Sequence, residues 1–222
     1  MGKLTPLICR CLLPFLVWSA EGRAQTEAAP SPAAKKTIVF LGDSLSAGLG
    51  VKLPEAFPAL IEQKIEEEGL PFVVVNAGLS GDTTAGGLSR INWVLQRPAD
   101  VLVLELGGND GLRGLPIANI KANLQAIIDQ ARAKNPEVKI VIAGMQMPPN
   151  VGAQYAMEFR QMFFEVATAN KATMIPFLLE GVGGAGELNQ ADLIHPNARG
   201  HKIVAEVVWK ILEPLLRQGG SR

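Results

Sequence analysis

Cysteine is nearly missing from this 222-residue chain: it has two, Cys9 and Cys11, both ahead of the first apolar stretch. Histidine is equally scarce, with His195 and His201 alone. Without thiols or clustered imidazoles beyond residue 24, the chain has no disulfide framework, no thiol nucleophile and no transition-metal ligand set. Charge of either sign in excess is also lacking, since 21 basic residues balance 21 acidic ones. Basic runs are absent too, so no electrostatic footprint for nucleic acid is present. The glycine-containing segments fit neither a P-loop nor a G-x-G-x-x-G cradle, and nucleotide binding has no support. No internal repeat is visible, and no apolar run is long enough to span a bilayer.

The first segment is present for another purpose. Lys3 and Arg10 precede the short apolar core Cys11-Leu12-Leu13-Pro14-Phe15-Leu16-Val17-Trp18-Ser19-Ala20, and Gly22-Arg23-Ala24 supplies small residues two apart. This is the layout of a secretory signal peptide over residues 1–24. It implies a periplasmic or secreted mature chain. Both cysteines would leave with it, and a lipoprotein would need its cysteine after the apolar core. Residues 25–36, rich in Ala, Pro, Ser and Lys, read as a flexible lead-in. Residues 37–218 fit one domain.

Within that domain, apolar runs of strand length alternate with helical patterns, which indicates repeated βαβ units. Strands are expected at 37–41, 72–76, 101–105, 138–143 and 173–178. They are apolar almost throughout, as when helices cover both faces of a parallel sheet. Ile117, Ile120, Leu124, Ile127, Ile128 and Ala131 form a helical stripe. So do Phe57, Leu60, Ile61 and Ile65, with Gly69 as C-cap. Phe159, Met162, Phe163 and Val166 mark a helix near 153–171. Ile203, Val204, Val207, Val208, Ile211, Leu212 and Leu215 mark the last one, stopped at Gly219-Gly220. A further helix starts near Asp82-Thr83-Thr84, with an Asp as N-cap. These stripes are core. The expected architecture is a three-layer α/β/α sandwich around a five-stranded parallel sheet with flavodoxin-like order.

Ligands of such sheets bind outside the carboxyl ends of the strands. The first strand leads into Gly42-Asp43-Ser44-Leu45, the second into Gly78-Leu79-Ser80-Gly81-Asp82, and the third into Gly107-Gly108-Asn109-Asp110. Asp192-Leu193-Ile194-His195 follows the fifth. A serine hydroxyl needs a base to become a nucleophile, and His195 is the candidate for Ser44. Asp192, three residues earlier, can orient the imidazole across a turn, and Pro196 biases His195 to extended backbone. His201, on the terminal helix, reads as a surface or partly packed residue. Acyl transfer also needs donors for an oxyanion. The candidates are the Ser44 and Gly81 amides and the Asn109 side chain, the last on a glycine-compacted loop.

Other residues read as structural. Ser80 departs from the G-x-S-x-G elbow and is a turn residue. Asp43, Asp82 and Asp110 are expected to bond loop backbone, and Glu105 to be a structural hydrogen-bond partner. For an acyl chain, the apolar loop with Met145, Met147, Pro148 and Val151, together with residues 177–182, offers adaptable surface, though these residues equally suit packing of the sheet edge.

These motifs resemble the GDSL or SGNH hydrolase superfamily in all four of its motif blocks, in order. The similarity runs from about Lys36 to Leu216. Leu79-Ser80-Gly81-Asp82-Thr83-Thr84, Glu105-Leu106-Gly107-Gly108-Asn109-Asp110-Gly111-Leu112-Arg113-Gly114 and Ile194-His195-Pro196-Asn197 look like the bacterial arylesterase and multifunctional acyl-CoA thioesterase–lysophospholipase branch. The resemblance implies Ser44 as nucleophile, His195 as base, Asp192 as acid, and Ser44, Gly81 and Asn109 as oxyanion hole. It implies no cofactor, and a small acyl ester, thioester or lipid-like substrate. A carbohydrate O-acetyl esterase and a catalytically silent periplasmic binding protein are the competing expectations.

Overall fold

Each central strand of the sheet sends alternate side chains to opposite faces, and two apolar cores result. The computed structural model describes residues 1–2 and 35–219, so nearly all of the expected leader and of the lead-in lies outside the described residues. In β1 (Lys36–Gly42), Val39 and Leu41 point to one core and Ile38 and Phe40 to the other. The same alternation holds in β3 (Val101–Glu105) and β4 (Lys139–Ala143). β2 (Phe72–Gly78) lies at one edge and β5 (Thr173–Ile175) at the other. All pairs are parallel, in the order β2-β1-β3-β4-β5. The flavodoxin-like sandwich is therefore as expected.

Helices α3 (Thr84–Val94), α5 (Ile117–Lys134) and α6 (Ala153–Asn170) cover the first face. Helices α2 (Phe57–Glu67) and α7 (Ala198–Gly219) cover the second. The predicted stripes are the buried ones: Ile120, Leu124, Ile127 and Ile128 of α5 have no exposed surface. Burial of each such side chain contributes about 1.5–3 kcal/mol. Phe40, fully buried against the edge of Phe57 with ring centroids 5.6 Å apart, anchors the second core. Truncation to alanine there would cost about 3–5 kcal/mol.

Two local expectations change. β5 ends at Ile175 rather than 178, because Pro176 has no N–H for the ladder. The chain stays on the sheet edge only through Gly144, whose N–H donates to Ile175 and whose carbonyl accepts from Leu178. The N-cap of α3 is Thr83, whose hydroxyl accepts from the Gly86 N–H, and not an aspartate. The Asp82 carboxylate is instead engaged by Arg90. Gly69 follows α2 at φ +61°, and the Leu70 N–H reaches back to the Ile65 carbonyl, the expected glycine ending.

Strand order reverses between β1 and β3, whose carboxyl ends meet at the paired positions Gly42 and Glu105. Gly42 is also paired with Gly78 of β2. The chain leaves β1 toward Ser44, β2 toward Gly81 and β3 toward Asn109. One crevice thus receives all three segments.

Candidate active site

Ser44 opens α1 (Ser44–Ala47), a single helical turn capped by Asp43, whose Oδ1 accepts the Leu45 N–H at 3.0 Å. The turn sits tightly on the sheet. A Cβ at Gly42 would come within 2.2 Å of Ser46 Oγ and 2.3 Å of Glu105 Oε2, so the strand end needs glycine for close approach. Glu105 is fully buried, and its Oε2 accepts from the Asp43 N–H (3.1 Å), the Ser46 N–H (3.1 Å) and the Ser46 hydroxyl (2.6 Å). This carboxyl bolts α1 to the end of β3, the structural role expected of it. Burial, and then the nearby Asp43 charge, hold its pKa well above the usual carboxylate range. Asp43 is also raised by burial, against hydrogen bonds that favour its charged form, the Leu45 N–H foremost.

Ser44 Oγ lies 2.9 Å from His195 Nε2, and His195 Nδ1 lies 2.6 Å from Asp192 Oδ2. The serine is mostly buried, whereas the Asp192 side chain is 43% exposed. Order at this rim comes from backbone: Asp192 Oδ1 accepts the N–H groups of Ile194 (2.9 Å) and His195 (3.0 Å). The turn predicted between 192 and 195 therefore exists. It runs through Leu193 at φ +60°, a left-handed conformation that a leucine adopts only at a cost. Those bonds, the His195 N–H first and then its ring, lower the Asp192 pKa to about 2.

Asn109 lies in the first turn of the short helix α4 (Gly108–Leu112), rather than in an open loop. Its Nδ2 donates to Asp43 Oδ2 (3.1 Å), next to Ser44, and to the main-chain oxygen of Asp82 (2.9 Å), next to Gly81. Gly81 has φ +80°, and a Cβ there would meet nothing within 4 Å, so conformation and not space calls for glycine. Among the described residues, the N–H groups of Ser44 and Gly81 donate to no other protein group. Both are free for a ligand. Asp110, by contrast, is structural: its carboxylate accepts the Thr84 N–H (2.9 Å) and hydroxyl (2.6 Å).

His201 departs from expectation. It is 1% exposed, stacked on Phe57, and its Nδ1 accepts the Phe57 N–H at 3.2 Å. Three residues before Val204, it continues the buried face of α7, and Phe57 of α2 packs over it. Burial lowers its pKa to about 4. Met145 is buried in the first core, Met147 is half-buried against it, Val151 is half-buried and Pro148 is exposed. A Cβ at Gly108 would come 3.1 Å from Met145 Sδ, so this methionine backs the helix that carries Asn109.

Sequence reasoning overlooks Arg90, whose guanidinium bonds Asp82, Ala77 and Gly42. The available signal is that it is the one charged side chain in α3. Among the described residues, no cluster of three or more His, Cys, Asp or Glu could hold a metal, and no helix is long and apolar enough to cross a membrane.

Comparisons with known proteins find esterase and acylhydrolase relatives. The chain is 43% identical over 186 residues to "Esterase TesA" of Pseudomonas aeruginosa, covering 83% of this chain and 91% of that one. It is 37% identical over 186 residues to "Thioesterase 1/protease 1/lysophospholipase L1" of Escherichia coli K12, covering 83% and 86%. The crystal structure of the psychrotrophic esterase EstA from Pseudoalteromonas sp., inhibited by monoethylphosphonate, superposes with a TM-score of 0.78 at 30% identity, covering 82% of this chain and 100% of that one. Residues 40–203 match the GDSL-like Lipase/Acylhydrolase family, and the chain belongs to it.

Proposed function

We propose that the chain is a periplasmic or secreted serine esterase that hydrolyses acyl and aryl esters, and thioesters or lysophospholipids of similar shape, through an acyl-enzyme on Ser44. The observation that carries this reading is the continuous chain Ser44 Oγ–His195 Nε2 (2.9 Å) and His195 Nδ1–Asp192 Oδ2 (2.6 Å). Ser44 attacks the carbonyl carbon as His195 Nε2 takes its proton. The tetrahedral oxyanion is received by the N–H groups of Ser44 and Gly81 and by Asn109 Nδ2. The intermediate collapses as the imidazolium protonates the leaving alcohol or thiol. His195 then deprotonates water, which attacks the acyl-enzyme and releases the acid and Ser44. The Asp192 carboxylate fixes the tautomer and stabilises the imidazolium throughout.

Support for the substrate class comes from the relatives, named esterase and thioesterase/lysophospholipase. The EstA structure inhibited by monoethylphosphonate supports a site that receives a tetrahedral phosphonate. Support for export comes from the leader pattern in residues 1–24. Met145, Met147, Pro148 and Val151 are proposed to border the acyl chain, Met145 from beneath.

The test is hydrolysis of p-nitrophenyl esters of increasing chain length by the wild type and Ser44→Ala. Turnover of medium and long chains that vanishes in the alanine variant, with folding intact, is expected. Retained turnover in Ser44→Ala would remove the nucleophile assignment. Strict preference for acetate would move the substrate to carbohydrate O-acetyl groups, and absence of fluorophosphonate labelling in the wild type would leave a silent binding protein.

A further inference from the structure

Arg90 bonds directly to the segments that follow β1 and β2, two of the four that build the site. Its Nε donates to Asp82 Oδ2 at 2.7 Å, its Nη1 to the Ala77 carbonyl at 2.8 Å, and its Nη2 to the Gly42 carbonyl at 3.1 Å. The Arg90 side chain is 18% exposed and that of Asp82 is 6%. Ala77 lies at the end of β2, Gly42 at the end of β1, and Asp82 directly after Gly81. The Gly42 carbonyl also accepts the Leu79 N–H at 3.0 Å. Through its main-chain oxygen, Asp82 accepts the Asn109 side chain at 2.9 Å. One planar cation therefore connects the ends of two strands to the loop with Gly81 and, one bond further, to Asn109.

We infer that Arg90 is a positioning residue for the oxyanion hole, holding the loop of residues 78–82 so that the Gly81 N–H and the Asn109 amide keep a common aim. The inference rests on the oxyanion assignment made above. An isolated, largely buried ion pair adds little net stability, because desolvation offsets its attraction. Its geometry has a use all the same. A guanidinium offers donors in a rigid fork along fixed directions, whereas an ammonium is a point charge with rotating donors. Three acceptors, at the end of β1, at the end of β2 and in the loop that follows it, are satisfied together only when these stretches hold one relative placement. Gly81, at φ +80° and with open space about it, has no side chain to restrain its peptide. The restraint comes from neighbours: Arg90 through Asp82 on one side, and Arg113 Nη2 donating to the Gly81 carbonyl at 3.2 Å on the other.

The experiment compares Arg90→Ala, Arg90→Lys and Arg90→Gln with the wild type on one p-nitrophenyl ester. Because an oxyanion donor acts chiefly in the transition state, kcat should fall on the order of 10–100-fold in Arg90→Ala while KM stays within about twofold. Affinity for an alkyl boronic acid, whose adduct is tetrahedral, should fall in parallel with kcat/KM. Lysine should recover only part of the loss, and added methylguanidinium should raise kcat of Arg90→Ala but not of the wild type. Should Arg90→Ala not fold, the lysine and glutamine variants decide by the same kcat, KM and boronate criteria. A folded variant with wild-type kcat, or one that changes KM alone, overturns the inference. If Ser44→Ala retains turnover, the underlying esterase reading has failed; if Ser44→Ala is dead while Arg90 variants are fully active, the positioning role alone has failed.

Discussion

Asn109 donates its side-chain amide to the Asp43 carboxylate across 3.1 Å, joining residues 66 positions apart in the chain. The second acceptor of the same nitrogen is the Asp82 main-chain oxygen. An oxyanion arriving here would share these hydrogens, so the proposed oxyanion role of Asn109 is coupled to a structural one.

Asn109→Ala should therefore lower kcat on the order of 10²–10³-fold. It should also lower stability by about 1–3 kcal/mol, since the buried Asp43 loses a donor. Steady-state kinetics and thermal unfolding together check this, and an unchanged kcat would count against the oxyanion role. Asn109→Asp should be worse than alanine in stability, because it sets a second carboxylate against Asp43.

Asp192→Asn keeps the shape of the turn but offers an N–H₂ where Oδ2 accepted from the imidazole. Loss of kcat on the order of 10³–10⁴-fold is expected from the wrong tautomer. The Asp192 pKa is lowered from 3.8 to about 2, so whatever stability the carboxylate adds is complete above 3.8 and disappears as pH falls toward 2. An acidic limb of kcat/KM above pH 4 must then come from another group. A pH–rate profile of both proteins tests this: the variant should be depressed at every pH, rather than shifted along the axis.

Glu105 separates shape from charge. Glu105→Ala leaves the Asp43 N–H, the Ser46 N–H and the Ser46 hydroxyl without their acceptor, and should cost at least about 3 kcal/mol. Glu105→Gln keeps an acceptor oxygen and removes the titration. With a folded-state pKa raised above 4.5, glutamate loses stability as pH rises past that value. Melting temperatures of wild type and Glu105→Gln should thus diverge in favour of glutamine between pH 5 and pH 8. A gap that narrows with rising pH would contradict the buried-carboxyl account.

His201 carries the opposite sign. Its pKa falls from 6.5 to about 4, so the unfolded chain binds the extra proton between those values. Stability should be complete above 6.5 and decline by about 3 kcal/mol as pH drops to 4. His201→Asn, which retains an acceptor for the Phe57 N–H, should flatten that slope in a pH series of denaturant melts. An equally steep slope in the variant would place the acid sensitivity elsewhere.

Much of the candidate site is legible because its residues stand just after apolar strands. Ser44, Gly81 and Asn109 each follow an apolar run, and His195 was one of two histidines. The fold followed from apolar stripes at helical spacing, which packed as expected in α2, α5, α6 and α7. Arg90 is not legible as a clamp, because two of its three acceptors are main-chain carbonyls, at Gly42 and Ala77, and main-chain groups leave no mark in sequence. His201 escapes the pattern for a related reason: the apolar stripe begins at Ile203, and nothing local says that α2 closes over the turn before it.

Local chemistry is thus what the amino-acid sequence decides unaided here: which runs become strands, where proline halts a ladder, and which types of reactive group stand at each strand end. Those outcomes depend on interactions within a few residues, and so they are written in order along the chain. Distances and protonation are decided only in three dimensions. Ser44 reaches His195, 151 positions away, and the Glu105 pKa is raised, because packing brings together groups that the chain keeps far apart and removes the water around them.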